Sequence, residues 1–92
     1  MDTRFSNKVA LVTGAGSGIG QATAFAFARE GANVIVADVD VAGGEQTVRL
    51  IEEIGGKAAF ITCDVSQASQ VEAAVNLAVS KYGRLDYAFN NA

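Results

Sequence analysis

An α/β architecture built on a parallel, doubly wound sheet follows from three features of this 92-residue sequence. Four short apolar runs recur along it, the segments between them carry helical periodicity, and a glycine-rich turn follows directly on the first run. The runs are KVALVT from Lys8, NVIVAD from Asn33, KAAFIT from Lys57 and LDYAFN from Leu85, with starts 25, 24 and 28 residues apart. Each is nearly continuous in apolar side chains instead of alternating, the pattern of strands buried on both faces of a parallel sheet. Parallel neighbours need crossover connections, and the intervening segments supply them as helices. The order is βαβαβαβ with right-handed crossovers. It forms one domain over residues 1–92, because so short a chain leaves no room for a second.

The first run gives way to TGAGSGIG, residues 13–20, with glycine at four of eight positions. The helix that follows, about Gly18 to Glu30, is rich in Ala and Phe on most faces and is expected to be the most buried; Gly31 ends it. After the second run, a segment from about Asp40 to Ile54 places Val48, Ile51 and Ile54 on a narrow stripe and stops at Gly55 and Gly56. The segment after Ser66 is the clearest helix. Val71, Ala74, Val75, Ala78, Val79 and Tyr82 fall at three- and four-residue spacing. Ser69 with Glu72 matches a capping box, Ser66 is an alternative N-cap, and Gly83 supplies the stop. No linker, low-complexity tract or residue-level repeat interrupts the pattern.

Composition narrows the chemistry. Half the residues are hydrophobic and 18% are charged, which suits a packed core and argues against disorder. A net charge of −3 argues against an extended nucleic-acid surface, which demands clustered Lys and Arg. A small anion held by backbone amides is still compatible. The sequence has no histidine, so His-based catalysis and Cys/His zinc sites are excluded, and no metal site is expected. A single cysteine, Cys63, forbids an internal disulfide and reads as a small buried hydrophobe at a strand end. No apolar run nears the length of about 20 residues needed to cross a bilayer. The polar start MDTRFSNK is unlike a secretory signal, and a cytoplasmic location is expected.

The glycines point to a ligand. Open parallel sheets bind ligands beyond the carboxyl ends of their strands, where strand order reverses; in the Rossmann order, 3-2-1-4, that point is the glycine turn. The template G-x-G-x-x-G fails, because from Gly14 and Gly16 it requires glycine where Ile19 stands. G-x-x-x-G-x-G fits, with Gly14 for the sharp exit, Gly18 for close approach to a pyrophosphate and Gly20 for close packing of helix on sheet. Asp38 ends the second run 18 residues after Gly20, near the spacing of an acid that grips an adenosine ribose. Capping of the next helix is an equal reading for Asp38, and Asp40 can fill that role as well. Asp64 and Val65, closing the third run, suit an adenine amino group and ring face. Asn90, Asn91 and Ala92 close the fourth. All four features fall at one edge of the sheet.

At these residues the sequence resembles the short-chain dehydrogenase/reductase family. The matching pieces are Thr13-Gly14-Ala15-Gly16-Ser17-Gly18-Ile19-Gly20, Asp38, Asp64-Val65 and Asn90-Asn91-Ala92, within a match from Lys8 to Ala92. The resemblance implies an oxidoreductase that passes hydride between a nicotinamide cofactor and a small alcohol or carbonyl substrate. It implies pyrophosphate contacts at Gly14, Ser17, Gly18 and Ile19, ribose contact at Asp38, adenine contacts at Asp64 and Val65, and backbone contacts at Asn91 and Ala92. Asn90 is expected to tie strands together. NADP-preferring members carry a basic residue just after the acid or in the glycine turn; Val39 and Ser17 stand there, so NAD is the implied cofactor. The family's catalytic Ser, Tyr and Lys lie downstream of the Asn-Asn-Ala piece. Tyr82 and Tyr87 are followed four places on by Asp86 and Asn91, so neither begins Tyr-x-x-x-Lys. No catalytic residue carries over. The 92 residues are expected to be a truncated cofactor-binding half, inactive alone.

Two other readings compete. Gly14-Ala15-Gly16-Ser17-Gly18 also satisfies G-x-G-x-G of S-adenosylmethionine-dependent methyltransferases, but these place an acid where Val12 stands. A non-catalytic, self-associating module is the other, since Leu85 to Asn90 is expected to form an unpaired apolar edge; a homo-oligomer is anticipated.

Overall fold

The computed structural model describes residues 4–91. In chain order the elements are β1 (Val9–Thr13), α1 (Gly18–Arg29), β2 (Asn33–Asp38), α2 (Val41–Glu53), β3 (Lys57–Thr62), α3 (Ala68–Tyr82) and β4 (Tyr87–Phe89). All strand pairs are parallel and the sheet order is β3-β2-β1-β4. Val9 pairs with Asn33 and Asn33 with Lys57, so the starts of the first three strands lie level and so do their ends.

Two apolar layers sandwich the sheet. On one face Ala24 and Ala28 of α1 and Ile51 of α2 pack on Val12, Val34 and Val36. On the other, Ala74 and Ala78 of α3 pack on Val9, Leu11, Ile35 and Ala37. Alternate residues of β1 and β2 therefore feed opposite layers, which is why both strands read as unbroken apolar runs. That expectation fails for the outer strands. The β3 side chains are half-buried or exposed, and the β4 side chains are exposed, because each strand has a neighbour on only one side.

The β4 strand is also shorter than the run from Leu85. The Asp86 carboxylate accepts from the Val9 N–H (2.8 Å), so a side chain takes the place of a ladder bond at its entry. Helix α1 keeps the largest share of its side chains from solvent, as expected, and the chain turns at Gly31 with φ 98°. In α2 the buried positions are Gly44, Thr47 and Ile51, with Val48 beside them and Ile54 at the C-cap. Thr47 and Gly44 were absent from the predicted stripe.

The expected capping of α3 is overturned. Its N-cap is Gln67, and neither Ser69 nor Ser66 caps it. The Ser66 hydroxyl is already committed to the Asp64 carboxylate (2.7 Å), and Ser69 lies inside the helix. Val79, placed on the buried stripe, is 50% exposed. Gly83 does stop the helix, in the left-handed conformation at φ 84°.

Candidate functional site

The four strand ends form a rim, and the glycine turn occupies its middle. Gly14 takes a left-handed φ of 63°, which sends the chain sharply out of β1. The Ala15 N–H then donates to the Ala37 carbonyl (3.1 Å), drawing the loop across the end of β2. There the Gly16 N–H donates to Asp38 Oδ2 (2.8 Å), while Asp38 Oδ1 accepts from the Asp40 N–H (2.9 Å). Asp40 itself caps α2, accepting from the Gly43 N–H (3.1 Å). The two acids have divided the readings left open by the sequence: Asp40 caps, and Asp38 faces the turn. Each carboxylate oxygen has more than one acceptor site, so Asp38 keeps capacity for further donors.

Close approach explains the glycines. A Cβ on Gly20 would collide with the Gly14 carbonyl, so α1 starts tight against the exit of β1. A Cβ on Gly16 would stand 2.8 Å from Asp38 Oδ2. Gly16 lies outside the G-x-x-x-G-x-G template and was missed as a structural position. Gly18 is different, with φ 55° and open space around it.

Ser17 is the N-cap of α1 and its side chain makes no capping bond. The first-turn amides of a helix lack carbonyl partners within it and carry the positive end of its dipole. Here they open beside exposed Ser17, Gly18 and Ile19, and the Ile19 side chain is 73% exposed. A main chain bare of side chains, presenting unpaired N–H groups, suits an anion. An apolar side chain standing next to it suits the body of a larger ligand.

The outer parts of the rim are held by their own bonds. Asp64 Oδ1 accepts from both the N–H (2.9 Å) and the hydroxyl (2.7 Å) of Ser66, and these bonds hold its carboxyl below the usual range. Val65 is half-buried and lines, with Val71, Val75, Ala88 and Phe89, a groove of about 320 Å³ between α3 and β4. Burial, with the Asp64 charge beside it, raises the pKa of the Cys63 thiol, which fits the packing role read from the sequence.

At the end of β4, the Thr13 hydroxyl donates to Asn90 Oδ1 (2.9 Å) and accepts from the Asn91 N–H (3.0 Å). Asn90 thus links the two strand ends, as expected. Asn91 lies close to Gly20, whose Cβ would stand 2.9 Å from the Asn91 amide nitrogen. Gly14, Ser17, Gly18, Ile19 and Asp38 are therefore gathered at one place, Asp64 lies further out past the end of β3, Val65 reaches back beneath α3 to the groove it shares with Thr13 and Asn90, and Asn91 closes the other side. Ala92 lies outside the described residues.

Among the described residues neither tyrosine stands on this rim. Tyr82 ends α3 at the opposite edge of the sheet, in a pocket with Lys57 at the start of β3. Burial and the Glu52 charge push its phenol up, the reverse of what an acid–base tyrosine needs. Tyr87 belongs to an aromatic cluster, with ring centroids 5.4 Å from Phe5 and 5.7 Å from Phe27. Among the described residues no three His, Cys, Asp or Glu side chains gather as metal ligands.

A family model described as short chain dehydrogenase matches residues 8–92. The chain belongs to the short chain dehydrogenase family. Cyclohexanol dehydrogenase of Acinetobacter sp. (strain SE19) is 46% identical to it over 92 residues, covering all of this chain and 37% of that protein. Borneol dehydrogenase of Lavandula x intermedia is 46% identical over 89 residues, or 97% of this chain and 32% of the relative. A hydroxysteroid dehydrogenase structure from Escherichia coli superposes with a TM-score of 0.94 at 38% identity, covering 98% of this chain and 38% of its own. This short-chain dehydrogenase sequence thus spans about a third of the length of the relatives it matches. Within the family's sheet, Val12 is fully buried in β1, where the methyltransferase pattern wants an acid.

Proposed function

We propose that this chain is the dinucleotide-binding part of an oxidoreductase whose cofactor is NAD. The observation that carries the reading is the 2.8 Å bond from the Gly16 N–H to Asp38, because it sets a carboxylate beside the loop that bears the free helix amides. The first-turn amides of α1, around Ser17, Gly18 and Ile19, hold the diphosphate, with Gly14 shaping the turn. Asp38 accepts from the ribose hydroxyls and repels a 2′-phosphate, and Val39 offers no cation to offset that repulsion. Asp64 takes the adenine amino group, Val65 packs on the ring, and the Asn91 and Ala92 main chain borders the second ribose. The cofactor, when bound, supplies the hydride chemistry.

The whole protein acts in this reading on a small alcohol or carbonyl compound, in the cytoplasm, as a homo-oligomer. The single thiol supports a reducing compartment. Calorimetric titration of the purified protein with NAD, NADP and S-adenosylmethionine tests the core of the reading. NAD is expected to bind at least about tenfold tighter than NADP, one charge–charge repulsion's worth, and Asp38→Asn to narrow that gap. Tighter binding of NADP, or binding of S-adenosylmethionine alone, would refute it.

A further inference from the structure

Thr47 is a polar residue in the middle of α2, fully buried, and its hydroxyl is used three times. It donates to the Ala15 carbonyl (2.7 Å), lies 3.1 Å from the Gly43 carbonyl of its own helix, and accepts from Gln21 Nε2 (2.9 Å). A hydroxyl has one proton. The Gln21 donation occupies a lone pair and so turns that proton toward the carbonyls, of which Ala15 is the nearer. The Ala15 carbonyl and the Gly16 N–H belong to one peptide group, and a peptide group is a rigid plane. Thr47 holds one end of that plane and Asp38 holds the other, at 2.8 Å.

The α2 helix reaches the loop because its first turn carries Gly43 and Gly44 on the packed side. A Cβ on Gly43 would collide with the Gly16 carbonyl, and one on Gly44 with the Phe60 ring. We propose that Thr47 is a positioning residue for cofactor choice: by fixing the Ala15–Gly16 peptide it fixes the direction of the Asp38 carboxylate, and with it the preference for an unphosphorylated ribose. The inference rests on the dinucleotide reading above. A residue that merely packs would alter stability and weaken both cofactors alike. One that acts through Asp38 alters the ratio between them.

The test measures NAD and NADP dissociation constants for the purified protein and its variants by calorimetry, with thermal unfolding alongside. Thr47→Val keeps the shape and removes the hydroxyl. It is expected to lower the NAD:NADP preference about tenfold, the equivalent of a hydrogen bond to a charged group. Thr47→Ser restores the preference to within about twofold, since the hydroxyl returns. In an Asp38→Asn background Thr47→Val has no further effect on the ratio, because the group it acts through is already neutral. An unchanged ratio in folded Thr47→Val, or an equal change in the Asp38→Asn background, overturns the proposal. Should Thr47→Val not fold, Gln21→Leu removes only the orienting amide. A loss of about threefold in the ratio is expected for one neutral hydrogen bond, and none overturns the proposal. If the parent protein binds neither dinucleotide, the dinucleotide reading fails and this inference falls with it. If the parent prefers NAD and Thr47→Val keeps the parent's NAD:NADP ratio, this inference alone falls.

Discussion

Replacing Gly20 by alanine sets one methyl group against the main chain of the loop that leaves β1. The added carbon falls on the Gly14 carbonyl, and the Asn91 amide nitrogen stands 2.9 Å away. The carbonyl is held in the turn and cannot swing clear as a flexible side chain would. Relief means lifting the start of α1 off the sheet. Overpacking a closed site costs about 1–3 kcal/mol, and a collision with backbone belongs at the upper end. The better helix propensity of alanine offsets about 1 kcal/mol of that. The net loss is about 2 kcal/mol, which lowers Tm by about 8–16 °C in a domain of this size. The lift also moves the first-turn amides away from Asp38, so NAD affinity is expected to fall along with stability. Thermal unfolding and calorimetric titration of the same preparation read both. A variant that melts with its parent and binds NAD as well would refute the claim that Gly20 is there for close approach.

Other perturbations separate the roles of single residues. Gly18→Ala meets no atom, so its stability cost is that of the left-handed φ, about 1–2 kcal/mol; a side chain in the open space beside the turn is expected to weaken NAD in the same titration. Ile51→Ala empties a fully buried position between α2 and the sheet and is expected to destabilise by about 2–5 kcal/mol in urea unfolding. Asp40→Ala removes the cap of α2 and is expected to cost about 1 kcal/mol, with Gly43 amide exchange accelerated. Arg84 beside Asp86 holds that carboxyl below its ordinary value, so the stability it contributes is present above about pH 4 and fades as pH falls through the lowered folded value. Unfolding of Asp86→Asn against the parent should therefore differ at neutral pH and converge in strong acid; a gap that persists in acid contradicts the ion-pair account. The isolated 92 residues, which hold no Tyr-x-x-x-Lys, should show no absorbance change at 340 nm with NAD and any alcohol.

Local signals made much of this fold legible. The apolar runs at Lys8, Asn33, Lys57 and Leu85 mark the strands, and Gly31, Gly55 and Gly83 mark helix ends because each adopts a positive φ. The rim could be read because parallel strands deliver their ends to one edge, so Asp38, Asp64 and Asn90 needed only to be strand-terminal. What escaped depends on partners distant in sequence. Thr47 looks like a poor helix residue until the Ala15 carbonyl, 32 positions earlier, is found above it. Gly43 and Gly44 look like helix weakeners until the glycine turn and Phe60 are seen against them. The α3 cap escapes a local reading because Ser69, which with Glu72 matches a capping box, lies inside the helix, and the hydroxyl of the alternative, Ser66, is taken by Asp64. The order 3-2-1-4 puts β3 and β4 at the edges, with Leu85 to Asn90 as an unpaired apolar edge, and the sheet has that order; their continuous apolar runs overstate only the burial of their side chains.

The way β4 is attached bears on how the protein breathes. Only three residue pairs join it to β1, with a clasp at either end: below, the Asp86 carboxylate on the Val9 N–H and the Asp86 N–H on the Val9 carbonyl (2.9 Å); above, the Thr13 hydroxyl on Asn90 and Asn91. Such a strand should exchange its amide protons sooner than β2, which is laddered on both sides, and should detach as a unit once either clasp lets go. Because Asn91 leans on Gly20, each detachment also unsettles the first turn of α1. A ligand gripping that turn would thereby slow deuterium uptake in β4, a strand it need never touch.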